Sequence, residues 1–131
     1  NCDPEKLIDD RAADLAAGNP LIIFPEGTRT VPGQPLHFLR GASYIALKSS
    51  KPILPVLIDC SPTTLTKREK WYHIPSRRFH LRVEVLAPVS VGRWVAADDK
   101  PAIAARKLTQ SLETHFTQEL ARHGRIEQTP A

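Results

Sequence analysis

The spacing of apolar positions changes along the chain, and each change predicts an element. Leu7, Ile8, Ala12 and Leu15 fall on one helical face. Asp3-Pro4-Glu5 ahead of them has the form of a helix start, with an acid at the N-cap, proline at the first helical position and an acid in the first turn. Gly18 is placed to stop that helix. Leu21 to Phe24 is short and continuously apolar, the pattern of a strand covered on both faces, and Pro25 ends it. Pro32-Gly33 and Pro35 predict a loop over 30–36. Gly41 to Leu47 predicts a helix that opens on small residues and closes at Ser49-Ser50-Lys51-Pro52. Ile53 to Ile58 is a second strand-like run, with Pro55 marking an edge, bulge or break inside it.

Beyond it, Lys70–Ile74 and Phe79–Leu86 flank Pro75-Ser76-Arg77-Arg78 and predict an antiparallel pair. In its second strand Leu81, Val83 and Val85 alternate with Arg82, Glu84 and Leu86, which predicts a packed face and a mostly polar one. A last helix is predicted from Asp98-Asp99-Lys100-Pro101, again with an acidic cap, and Leu108, Leu112, Phe116 and Leu120 recur every four residues along it. Gly124 is its predicted end. The order is helix, strand, helix, strand, hairpin, helix. This predicts an α/β fold in a single domain over residues 1–125, a mixed sheet flanked by helices, with 126–131 a loose tail.

Composition changes this picture little. The chain has 131 residues, 41% hydrophobic and 24% charged, ordinary for a globular protein with one core. Its two cysteines, Cys2 and Cys60, make neither a disulfide framework nor a zinc pattern, and Cys60 reads as a buried, inert thiol. No apolar run approaches the ~18 residues that cross a bilayer.

Charge changes it more. Net charge is +4, and Lys67, Arg68, Lys70, Arg77, Arg78 and Arg82 crowd one segment with Glu69 its only acid. Trp71, Tyr72, His73 and Phe79 interleave with them. A surface of this kind suits an anionic partner such as lipid headgroups, a phosphorylated substrate or nucleic acid. A plain solvated hairpin fits the same residues.

Candidate chemistry concentrates in Pro25-Glu26-Gly27-Thr28-Arg29. Gly27 permits a tight turn. Arg29 offers a planar fork of donors to a phosphate. Glu26 is able to accept hydrogen bonds from ligand hydroxyls, and Thr28 adds a hydroxyl of its own. A polyol phosphate satisfies the set; so does a strand-to-loop turn closed by a local Glu-Arg pair, and the residues alone leave both open. His37 reads as a surface or hydrogen-bonded histidine, and His115 and His123 as residues on the polar side or end of the last helix.

Phe24-Pro25-Glu26-Gly27-Thr28-Arg29 resembles the third sequence block of the glycerolipid acyltransferases, the glycerol-phosphate and lysophosphatidic acid acyltransferases. Phe38-Leu39-Arg40-Gly41-Ala42 resembles the segment that follows it in that family. Lys51-Pro52-Ile53-Leu54-Pro55-Val56 resembles the fourth block. The resemblance runs from about Asp3 to Asp59. It implies a glycerol-phosphate acyltransferase-like fold and transfer of a fatty acyl group from acyl-CoA or acyl carrier protein to a lysophospholipid hydroxyl in membrane lipid synthesis. Carried over residue by residue, it implies that Glu26, Gly27, Thr28 and Arg29 bind the acceptor, that Arg40 makes a second phosphate contact, and that Pro55 shapes the fourth block.

That family's catalytic pair is His-x-x-x-x-Asp, and this chain lacks it. The residues five positions after its histidines are Ala42, Arg78, Val85, Leu120 and Gln128. The chain also has no methionine and opens on Asn1-Cys2-Asp3. It therefore reads as the C-terminal part of an acyltransferase domain, inactive alone, with the His-x-x-x-x-Asp block and an arginine-bearing second block expected upstream. The resemblance further implies no metal and no cofactor beyond the acyl donor as co-substrate. It implies a phosphate-bearing glycerolipid acceptor, and a membrane surface met through basic residues 67–82 on the cytoplasmic face, peripherally or through an upstream anchor. Nucleic acid is not an expected partner. The competing reading is a non-catalytic basic module that binds acidic lipid or nucleic acid.

Overall fold

The computed structural model describes residues 3–28, 34–61, 78 and 80–122, with Cys60 and Ser61 described by their backbone alone. The elements follow in the order α1 (Pro4–Ala16), α2 (Gly41–Ser49), β1 (Val56–Ser61), β2 (His80–Val85), a 3-10 turn (Val91–Arg93) and α3 (Pro101–Arg122). The fold is α/β, and its sheet among the described residues is a two-stranded antiparallel one.

Local signals set the helix ends. The Asp3 carboxylate accepts from Glu5 N at 3.1 Å, Pro4 opens α1, and Gly18 turns the chain away with φ +91°. Ser50 closes α2 in the left-handed region at φ 53°, its amide donating to Ala46 O. Pro101 opens α3 at its first position. The acid before it behaves differently from expectation. Asp99 caps no amide of the helix; it accepts from Ala96 N at 3.1 Å and from Lys107 Nζ at 2.9 Å.

Pro55 breaks the strand as its missing amide requires. Ile53 and Val89 exchange both backbone bonds (2.9 and 2.8 Å), Pro55 contributes only its carbonyl, to Leu86 N, and the regular ladder begins at Val56. From there Val56 pairs with Val85, Ile58 with Val83 and Asp59 with Arg82. Thus β2 pairs with β1. The expected partner strand Lys70–Ile74 lies outside the described residues, as do Cys2, the turn at Pro32-Gly33, Lys67, Arg68, Trp71, Tyr72, His73, Arg77, Phe79, His123, Gly124 and the tail 126–131. The burial of the Cys60 thiol is likewise undescribed.

Two further expectations fail. Leu21–Phe24 forms no strand; Ile22 is 83% and Phe24 72% exposed, and Phe24 O accepts a turn bond from Gly27 N. A run covered on both faces needs neighbours on both sides, and the described residues supply none. The sheet also faces the other way. Val56, Ile58, Leu81, Val83 and Val85 share one face and are all exposed, while Leu57 is buried and Asp59, Arg82 and Glu84 on the opposite face are half-buried. Alternation separates two faces but does not say which one turns inward.

The core sits on α3. Phe38, Leu108 and Leu112 are buried together, with Leu47, Ile53, Trp94 and Phe116 packed around them. The four-residue stripe of α3 is therefore its inward face, as expected. Helix α2 lies between α1 and α3, held by the ion pair of Lys48 with Asp9 on one side and by Ser43 on the other.

Candidate functional site

The turn after Phe24 is built by its neighbours rather than by a strand. Gly27 has φ +66°, a left-handed conformation that glycine adopts without strain. Leu39 N donates to Pro25 O at 2.8 Å. A Cβ at position 27 would meet Leu39 Cδ1 at 2.6 Å. The close approach that glycine permits here is thus made by a side chain of the same protein. Glu26 and Arg40 each stand one residue beyond the bonded Pro25–Leu39 pair, so two separated motifs become neighbours.

Consecutive residues of Phe38-Leu39-Arg40 have distinct roles. The Phe38 ring is buried and meets Phe116 edge-on, with ring centres 5.4 Å apart. Its amide donates to Glu113 Oε1 on α3 at 2.8 Å. Leu39 closes over Gly27. Arg40 is exposed at the N-terminal boundary of α2, with no ion-pair partner among the described residues. The position favours an anion twice, through the guanidinium and through the free amides of the first helical turn.

Of the sequence-predicted site residues, Glu26, Gly27, Thr28 and Arg40 are brought to this corner, and Arg29 lies outside the described residues. Glu26 is half-buried and already in contact with a partner, whereas Gly27 and Thr28 are exposed. No group of three or more His, Cys, Asp or Glu side chains suited to a metal occurs among the described residues. No helix there is long and apolar enough to cross a membrane.

Residues that pattern reading missed hold the site in place. Ser43 is buried, its Oγ 2.7 Å from Thr109 Oγ1, which itself bonds to Ala105 O at 2.8 Å. Thr109 spends its hydrogen on that carbonyl, so Ser43 is the donor between the two hydroxyls. The pair ties α2, and with it Arg40, to α3. A serine among small helix-opening residues signals this only once the facing threonine is known. His37 is exposed, as expected. His115 lies on the polar side of α3, as expected, and is half-buried there, its ring centre 5.5 Å from that of Trp94 and 6.5 Å from that of Phe116.

Comparison with known proteins gives this corner a context. Residues 3–59 match the family model described as Acyltransferase. The chain is 38% identical over 82 residues to the mouse 1-acyl-sn-glycerol-3-phosphate acyltransferase alpha, covering 63% of this chain and 27% of that protein. It is 36% identical over 106 residues to the human alpha protein, covering 79% and 34%. It is 35% identical over 74 residues to a 1-acyl-sn-glycerol-3-phosphate acyltransferase of Limnanthes alba, covering 56% and 25%. The chain therefore spans between a quarter and about a third of the length of these relatives. No solved structure matches it.

Proposed function

Because the chain belongs to the glycerolipid acyltransferase family, we propose that it is the acceptor-binding part of an enzyme that acylates a lysophosphatidic acid-like lipid. The acyl donor is acyl-CoA or acyl carrier protein. The observation that carries this reading is the Pro25–Leu39 bond, which sets Glu26-Gly27-Thr28 beside Arg40.

In this reading Arg29 and Arg40 hold the acceptor phosphate, and Glu26 and Thr28 hydrogen-bond the glycerol oxygens. A histidine outside these residues, oriented by its aspartate, takes the proton of the acceptor hydroxyl. The freed oxygen attacks the thioester carbonyl, an ester forms, and the donor leaves as a thiolate that recovers a proton. Holding the phosphate fixes where that hydroxyl lies, so the binding corner contributes to rate through orientation. Basic residues 67–82 draw the domain to acidic lipid on the cytoplasmic face of the membrane. The chain alone binds acceptor and turns nothing over.

The test is binding of lysophosphatidic acid below its micellar concentration, by calorimetry, to the chain and to Glu26→Gln and Arg40→Ala. Weakening by fivefold or more in each variant is the expected result. Equal affinity for a lyso-lipid without phosphate would sink the assignment. Acyl transfer by the purified chain above a Glu26→Ala control would overturn its inactivity.

A further inference from the structure

An open groove of about 400 Å³ runs between the Val91–Arg93 turn and α3 and shares no lining residue with the Gly27 corner. Lys107, Gln110, Ser111, Thr114, His115 and Gln118 line it from the helix, and Arg93 and Trp94 from the turn. The helical residues recur every three or four positions. They form a polar stripe beside the apolar stripe of Leu108, Leu112 and Phe116. Lys107, Gln110, Thr114 and Gln118 are exposed and take no part in the core.

No carboxylate lines the groove, while its walls include an arginine, a lysine and a histidine. The cations are not equivalent. Lys107 is held from outside by Asp99, whose oxygens lie 2.9 and 3.0 Å from its Nζ. Arg93 has no ion-pair partner among the described residues. It also lines the adjoining cavity of about 250 Å³, as does His115, so these two side chains stand between both spaces. Around them Ser111, Thr114, Gln110 and Gln118 add hydroxyl and amide donors. On the remaining side, Trp94 and His115 present ring surface.

We infer that this groove binds a small phosphate monoester, its phosphate on the Arg93 guanidinium and the donors of α3, its organic part against Trp94 and His115. A free guanidinium matches two phosphate oxygens at once, and neutral donors line the same groove, while Glu119 lines the adjoining space that Arg93 also reaches. The groove is open to solvent, with Arg93, Lys107, Gln110, Thr114 and Gln118 exposed, so a nucleoside or polyol attached to the phosphate extends out of it without a clash. Both the nucleotide end of an acyl donor and the head of a phosphorylated acceptor have this chemistry. The inference goes beyond the acyl-transfer reading and does not need it to be true.

The test is titration of the isotopically labelled chain with inorganic phosphate, glycerol 3-phosphate, coenzyme A and its dephospho form, followed by amide resonances. Saturable shifts at Gln110, Ser111 and Thr114 with a phosphate monoester are the expected result. Loss of the response on moving from coenzyme A to its dephospho form assigns the nucleotide source; a stronger response to glycerol 3-phosphate assigns the polyol. Arg93→Ala weakens binding at least tenfold, equal to about 1.4 kcal/mol. Ser111→Asp, which adds a like charge, abolishes it while far-UV circular dichroism is unchanged. Shifts confined to Glu26–Thr28 would overturn this site and leave the acceptor reading standing. Unchanged affinity in Arg93→Ala, or no saturation by any of the four ligands, would also overturn it.

Discussion

Leu39 fills the space that a side chain on Gly27 would need. A Cβ at position 27 falls 2.6 Å from Leu39 Cδ1, and the backbone there has φ +66°. Two separate costs follow for Gly27→Ala, a steric one and a conformational one of about 1–2 kcal/mol. Urea unfolding separates them: Leu39→Ala in the same chain removes the clash and leaves the conformational part. A double variant no more stable than expected from the sum of the singles would mean that Leu39 is not what constrains the turn.

The Ser43–Thr109 pair predicts an asymmetry. Ser43→Ala removes a donor and leaves Thr109 bonded to Ala105 O, at about 1 kcal/mol. Thr109→Val strands a buried Ser43 hydroxyl and costs more, about 1–3 kcal/mol. Adding Ser43→Ala to Thr109→Val then recovers part of the loss. Equal single-variant costs in denaturant unfolding would contradict the assigned donor direction.

Asp99 sets a pH dependence whose sign is fixed. Its hydrogen bond with Lys107 is the largest influence, and it holds the carboxyl below the usual aspartate value. A depressed folded value means stability that is present above the unfolded value and is lost as pH falls through the folded one. The advantage of the native chain over Asp99→Asn is therefore full near neutrality and shrinks in acid below the ordinary aspartate range. Carboxyl carbon shifts of Asp99 across an NMR titration check the direction. A midpoint at or above the usual value would contradict it.

Sheet orientation predicts which apolar residues matter for folding. Leu57 is 4% exposed, whereas Ile58 is 55% and Val83 57% exposed. Leu57→Ala costs about 2–5 kcal/mol. Ile58→Thr and Val83→Thr, on the solvent side, change stability by under about 0.5 kcal/mol each. Thermal melts that reverse this ranking would return the sheet to the orientation its alternation suggested.

What was legible in the sequence was local. Asp3-Pro4 announces α1 because cap and proline act within one turn. The Leu108-Leu112-Phe116 stripe announces the inner face of α3 because helical period and burial coincide there. Leu21–Phe24 misled because a strand is defined by its partners, and four apolar residues contain no information about who those are. Val83 and Val85 misled for a related reason: the side of a sheet that is covered depends on what packs against it, here the buried Leu57 side. At the candidate site, Glu26 and Gly27 stood out as candidate chemistry, and Arg40 through the family resemblance. Their supports, Leu39, Ser43 and Glu113, were not, because each acts through a contact outside its own segment, with Gly27 for Leu39 and 66 and 75 positions away for Ser43 and Glu113.

The bond from Phe38 N to Glu113 Oε1 spans 75 positions. The family match ends at residue 59, yet the loop that carries Arg40 takes its shape from a helix that begins at Pro101. The motif and its mould are thus encoded in different parts of the chain. Transplanting residues 3–59 into another scaffold would move the letters and leave the conformation behind. Glu113 lies outside the residues that match the family model, so the corner leans on a side chain the match does not contain.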